Sequence, residues 1–147
     1  MKSILITVGT TKFDELIDFV LDNMEFFSDY KLTLQVGSYR NKDLSKYNNI
    51  NHFAYTNDME SLYKNNDYII CHGGSGTILN GLKYSKALLV IANTRLLGNH
   101  QLELIDKLVS MNLIHTCTLN NFELKTSKLN TRPPRQSTFT DFIHVFL

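Results

Sequence analysis

A chain of 147 residues, 43% of them hydrophobic, is the size of one ordinary domain with enough length for a proper core. Its formal net charge of +1 offers no basic surplus for nucleic acid and no acidic tail. Apolar runs are strand-sized, which excludes a membrane-spanning helix, and Ile4-Leu5-Ile6 behind Met1-Lys2-Ser3 is too short for a signal sequence. Cys71 and Cys117 both sit in apolar runs and are expected to be buried, reduced thiols of a cytoplasmic protein, with no metal site built on them.

Ser3–Val8 reads as a first, central strand ending at Gly9-Thr10-Thr11. Phe13, Leu16, Ile17, Val20, Leu21 and Met24 then follow helical spacing. Lys31–Val36 alternates Leu32, Leu34 and Val36 and stops at Gly37, and the polar segment Ser38–Asn49 reads as a loop or irregular helix. Ile50–Tyr55 is a third short strand, and Asn57 or Asp58 can cap a brief helix through Tyr63. Tyr68–Cys71 is a buried strand, followed by His72-Gly73-Gly74-Ser75-Gly76-Thr77 and a helix carrying Ile78, Leu79 and Leu82. Ala87–Ala92 is another buried strand, His100–Met111 a helix, and Leu113–Cys117 the last strand.

Strands alternating with helices predict an α/β fold, a Rossmann-like parallel sheet with helices on both faces. Such sheets bind ligands beyond the carboxyl ends of their strands. Gly9-Thr10-Thr11, His72–Thr77 and Asn93–Gln101 should therefore converge on one cleft. Residues 1–119 form the predicted domain. Residues 120–136, with Arg132-Pro133-Pro134-Arg135, read as a polar connector, and residues 137–147 as a short aromatic helix packing on this sheet or on a partner.

The glycine-rich turn after Cys71 is suited to an anion. Glycines let the backbone approach a ligand, and Ser75 and Thr77 can cap the helix while leaving N–H groups free. A plain tight turn has an equal claim. The pattern is not a P-loop, since no Gly-Lys-Ser/Thr follows, and Leu79 stands where a dinucleotide fingerprint has its third glycine. Gly98-Asn99-His100-Gln101-Leu102-Glu103 places amide, imidazole and carboxylate groups at a helix start, as a hydroxyl-rich sugar requires, although taken alone the stretch is better read with Asn99 as a mere cap and Glu103 as an exposed charge. His72 and His100 are candidate bases or anion ligands. No carboxylate cluster suggests a divalent metal.

Together these motifs, with Val8-Gly9-Thr10-Thr11 and Phe13-Asp14-Glu15-Leu16, resemble the C-terminal half of GT-B glycosyltransferases, and among them the small donor-binding subunits of eukaryotic UDP-N-acetylglucosamine transferases. The resemblance runs from about Ser3 to Cys117. It implies a subunit that moves GlcNAc from UDP-GlcNAc to GlcNAc-diphospho-dolichol in N-glycan precursor synthesis, by inverting transfer, with no cofactor and no metal in the bond-forming step. Gly9, Thr10, His72, Gly73, Gly74, Ser75, Gly76 and Thr77 would meet the diphosphate side of the donor. Asn93, Asn99, His100, Gln101 and Glu103 would face the sugar, with His100 the candidate catalytic group. The family usually has Glu or Asp where this chain has Asn80, which would accept from the ribose through one amide oxygen instead of a carboxylate. The acceptor half would come from a membrane-anchored partner that recruits the chain to the cytosolic face of the endoplasmic reticulum. A subunit of a bacterial-type polysaccharide transferase and a non-catalytic UDP-sugar-binding module remain open, and a nicotinamide or flavin protein is disfavoured.

Overall fold

A computed structural model describes residues 1–84, 86–92 and 99–124. Six parallel strands, β1 (Lys2–Thr7), β2 (Tyr30–Gln35), β3 (Ile50–Phe53), β4 (Tyr68–His72), β5 (Ala87–Ile91) and β6 (His115–Cys117), form one sheet in the order β3-β2-β1-β4-β5-β6. The helices are α1 (Asp14–Asp22), α2 (Met59–Asn65), α3 (Ser75–Lys83) and α4 (Asn99–Ser110).

The near-continuous apolar strands are explained by burial on both faces. Ile4, Ile6, Leu32, Leu34, Ile70, Leu89 and Ile91 point one way, into a core shared with Leu16, Ile17 and Val20 of α1 and with Phe27. Leu5, Ile69, Cys71, Leu88 and Val90 point the other way, against Ile78 and Leu82 of α3 and Leu104, Ile105 and Leu108 of α4. Each such side chain contributes about 1.5–3 kcal/mol of burial. On the second face α3 lies so close to β5 that a Cβ on Gly81 would stand 2.7 Å from a Leu88 methyl.

β1 is central, as the sequence predicts, and the helices lie on both faces. The polar segment 38–49 holds a single 3-10 turn, Leu44–Lys46, and Asp58 caps α2 by accepting from Ser61 N–H. The predicted first helix ends sooner than its apolar spacing suggests, at Asp22, because Asn23 turns the chain into a 3-10 segment over Met24–Phe27. Two expectations are corrected. Cys71 is fully buried, its thiol pushed up to about 12 by burial, but Cys117 on the edge strand is only half-buried. Packing also continues past residue 119, since Phe122 lies 4.7 Å from Phe19 ring to ring and, with Leu124, packs on the first core. The rest of the predicted connector and the aromatic segment 137–147 lie outside the described residues.

Candidate functional site

In this strand order the chain leaves β1 toward one face and β4 toward the other, so a crevice opens at the carboxyl ends of these neighbouring strands. A cleft of about 440 Å³ occupies that place. Its walls are Gly9, Thr10 and Thr11 after β1, His72 at the end of β4, and Gly74, Ser75, Gly76, Thr77 and Asn80 from α3 and the turn before it. Gln35, Tyr55, Thr56, Met59 and Tyr63 line the β2–β3–α2 side, and Gln101 of α4 completes it.

The start of α3 decides what this cleft can hold. The N-cap is Gly74, in extended conformation, and no side chain caps the helix. The first helical bond is Ile78 N–H to the Gly74 carbonyl, so the N–H groups of Ser75, Gly76 and Thr77 have no acceptor within the helix. They carry the positive end of the helix dipole to the cleft wall. Gly76 has open space around it, which lets a ligand reach these amides.

The opposite wall is Gly9, at φ +62°, whose own N–H is already engaged by Gln35 Oε1 at 2.8 Å and Thr7 Oγ1 at 3.1 Å. Gly9 therefore supplies closeness rather than an amide donor. A Cβ there would stand 3.2 Å from Thr77 Oγ1 and 3.4 Å from His72 Nε2. Thr77 is hydrogen-bonded to the Tyr63 hydroxyl, and burial raises the Tyr63 phenol. Burial lowers the proton affinity of His72, which leaves its imidazole neutral at pH 7. An anion at this cleft meets backbone amides, hydroxyls and amides.

Residues 3–141 match the family described as the glycosyltransferase family 28 C-terminal domain. The chain belongs to this family. It is 32% identical over 130 residues to UDP-N-acetylglucosamine transferase subunit ALG13 of Mus musculus, covering 80% of this chain and 11% of the mouse protein. The Homo sapiens protein of the same name gives the same figures. The relative of that name in Candida albicans is 29% identical over 160 residues, covering 76% of this chain and 55% of its own length. The chain thus spans about a tenth of the mammalian relatives and about half of the fungal one. In fold it is similar to the solution structure of ALG13, with a TM-score of 0.67 at 22% identity over 99% of this chain and 94% of that one. Acinetobacter baumannii MurG gives a TM-score of 0.67 at 16% identity, covering 99% of this chain and 41% of that chain. The architecture is the C-terminal half of a GT-B glycosyltransferase.

In this family 28 domain the structure brings Gly9, Thr10, His72, Gly74, Ser75, Gly76, Thr77, Asn80 and Gln101 to one cleft. Gly73 is buried in the turn and does not line it. Ser75 and Thr77 do not cap the helix as expected, because Gly74 takes that position and both residues stand in its first turn. Glu103 does not join the site. It is exposed and lines a shallow depression with Asp106, Lys107 and Ser110. Two residues of helix turn it by about 200° from Gln101, so the two cannot face one cleft. Asn93, Gly98 and the side chains of Asn99 and His100 lie outside the described residues, although the backbone of the latter two opens α4.

Gln35, Tyr55, Thr56, Met59 and Tyr63 were not foreseen. The signal was available in the topology, since β2 and β3 end on the same side of the sheet as β1 and β4. Among the described residues no group of His, Cys, Asp and Glu could hold a metal ion, and no helix is long and apolar enough to cross a membrane.

Proposed function

We propose that this chain is the donor-binding part of a glycosyltransferase that uses UDP-N-acetylglucosamine. The observation that carries the reading is the uncapped start of α3 facing the cleft between β1 and β4. The diphosphate would accept from the Ser75, Gly76 and Thr77 amides, with the hydroxyls of Thr10, Ser75 and Thr77 within the same walls. Asn80, in the second turn of α3, would meet the ribose, and the Tyr55 ring at the cleft's rim offers a face for the nucleobase. Gln101 would meet the sugar, together with Asn93, Asn99 and His100 as the family resemblance implies. The names of the mammalian and fungal relatives support this donor.

Transfer would proceed with inversion. The acceptor O4 attacks C1, the bond from C1 to the diphosphate oxygen breaks, UDP leaves, and the O4 proton passes to a base. Charge builds on the leaving diphosphate, where preorganised amides and a helix dipole stabilise it most. The acceptor would be a lipid-linked GlcNAc diphosphate of the dolichol type, presented by a membrane-anchored partner at the cytosolic face of the endoplasmic reticulum. The word "subunit" in the relatives' names supports a partner. The base is assigned to the partner or to His100.

Reconstitution tests this reading. The chain, its membrane partner and a short-chain GlcNAc-diphospho-lipid should release UDP from UDP-GlcNAc and yield a β1,4-linked disaccharide lipid. Binding of UDP-GlcNAc with no transfer in that mixture would make the chain a sugar-nucleotide-binding module instead.

A further inference from the structure

His72 ends β4 at the cleft wall, is 6% exposed, and its imidazole makes no hydrogen bond among the described residues. The ring fills the gap between the two turns. A Cβ on Gly74 would stand 2.6 Å from its Cε1 and 2.8 Å from its Nε2, and the Gly9 position is 3.4 Å from the same Nε2. The ring lines the cleft, so its hydrogen-bonding capacity is available to whatever enters there.

Among the described residues the surroundings carry no charge that would hold a proton there. Gly9 comes from the β1 turn, Gly74 and Thr77 from the α3 side, and Ile91 from β5 beside it in the sheet. Among the described residues the other titratable groups on the walls are the phenols of Tyr55 and Tyr63. No Asp, Glu, Lys or Arg lines the cleft among the described residues. Among the described residues burial is the influence on the imidazole, and it favours the neutral ring. A pyrophosphate diester would bring negative charge into this uncharged, partly water-excluded place, where an opposite charge within a few ångströms strongly favours protonation.

We propose that the nucleotide-sugar diphosphate enters the cleft together with a proton, which settles on His72 and makes it the positive side chain of the site. This rests on the UDP-sugar reading above and adds a property which that reading does not contain. The imidazolium forms no covalent bond in the reaction. It faces the diphosphate as the bond to C1 breaks, when the leaving UDP gains further negative charge.

Calorimetry with UDP-GlcNAc tests the proposal. Its diphosphate is esterified at both ends and exchanges no proton near neutrality, so any proton taken up belongs to the protein. Titrations of the full chain in buffers of different ionisation enthalpy should show uptake of up to one proton per ligand. Affinity should weaken by up to about tenfold per pH unit as pH rises through neutrality. In His72→Gln, with its amide spectrum intact, affinity should fall and the pH slope should vanish. In the unaltered chain the His72 Cε1–H resonance should titrate at higher pH with ligand than without. Binding with no proton uptake, or an unchanged slope in His72→Gln, would overturn the proposal while leaving the UDP-sugar reading intact. Failure of UDP-GlcNAc to move any cleft amide resonance, even at millimolar concentration, would instead sink that reading and the proposal with it.

Discussion

Gln35 and Gly9 are joined through both ends of one carboxamide, with Oε1 accepting from the Gly9 N–H at 2.8 Å and Nε2 donating to the Gly9 carbonyl at 3.0 Å. The same side chain, 2% exposed, accepts from the Thr7 hydroxyl and donates to the Ala54 carbonyl at 2.7 Å. One buried amide thus ties the ends of β1, β2 and β3 together and fixes the positive φ of the cleft's first wall. Replacing it with Leu would keep the volume, strand the Gly9 carbonyl and leave the Ala54 carbonyl with the Gly37 N–H alone. We predict that Gln35→Leu lowers unfolding free energy by about 2–4 kcal/mol in urea titrations, and lowers UDP-GlcNAc affinity in whatever fraction stays folded.

Gly74 and Gly76 separate packing from ligand approach. A Cβ on Gly74 meets the buried His72 ring at 2.6 Å, so Gly74→Ala should destabilise the fold by about 1–3 kcal/mol and weaken donor binding. Gly76 has nothing within 4 Å. Gly76→Ala should leave thermal stability unchanged or raise it by about 0.5 kcal/mol, since alanine loses less entropy in a helix. Its donor affinity should still fall, because the methyl stands where the diphosphate approaches. Equal affinity in both chains, read by calorimetry, would remove Gly76 from the site.

Asn80 is exposed on the second turn of α3, on the cleft wall. A carboxylate there would offer two acceptor oxygens to a ribose diol, and charge-assisted bonds exceed neutral ones by about 1 kcal/mol. Asn80→Asp should tighten UDP-GlcNAc binding up to about fivefold in calorimetry. A large loss would show that the amide N–H₂ of Asn80 is itself a ligand donor.

Much of this was legible in the residues. The order of strands and helices follows from apolar runs broken by glycine turns, and β1 could be placed centrally because Ile4, Leu5 and Ile6 leave it no polar face. The glycine-rich break between β4 and α3 was legible from its residue types, which suit an anion and a plain tight turn alike, and the structure sets it on the cleft wall. Its cap was misread: Ser75 is a strong capping type, but the chain enters the helix one residue earlier, at Gly74. Gln35 was invisible for a different reason. A lone polar residue inside an alternating strand reads as a solvent-facing position, and only the closing of three strand ends over it makes it a buried clamp. Glu103 shared a motif with Gln101 in the sequence, yet helical rotation carries it away from the cleft.

Far from the cleft, Asp67 supplies an acid-sensitive tie. Its carboxylate accepts from the Ser3 N–H at 2.9 Å and the Ser3 hydroxyl at 3.2 Å, and these bonds, the backbone one first, hold it below the usual carboxylate range. The folded chain therefore binds this proton more weakly than the unfolded chain does. The contribution is present at neutral pH and is lost as pH falls through the unfolded value near 4 and on below the folded one. Asp67→Asn should lower stability at pH 7 and flatten the fall in stability between about pH 5 and pH 3, measured by urea unfolding at each pH. A slope identical to that of the unaltered chain would show that Asp67 holds no such tie.

The start of α3 is tested most directly by following backbone amide resonances of the full chain during titration with UDP-GlcNAc, a measurement that tolerates weak binding. The amides of Ser75, Gly76 and Thr77 should move most and shift downfield as they donate to the diphosphate, with smaller changes at Thr10, Tyr55, Asn80 and Gln101. Saturable shifts centred elsewhere, with these three amides unmoved, would contradict the assignment of this helix start as the diphosphate site.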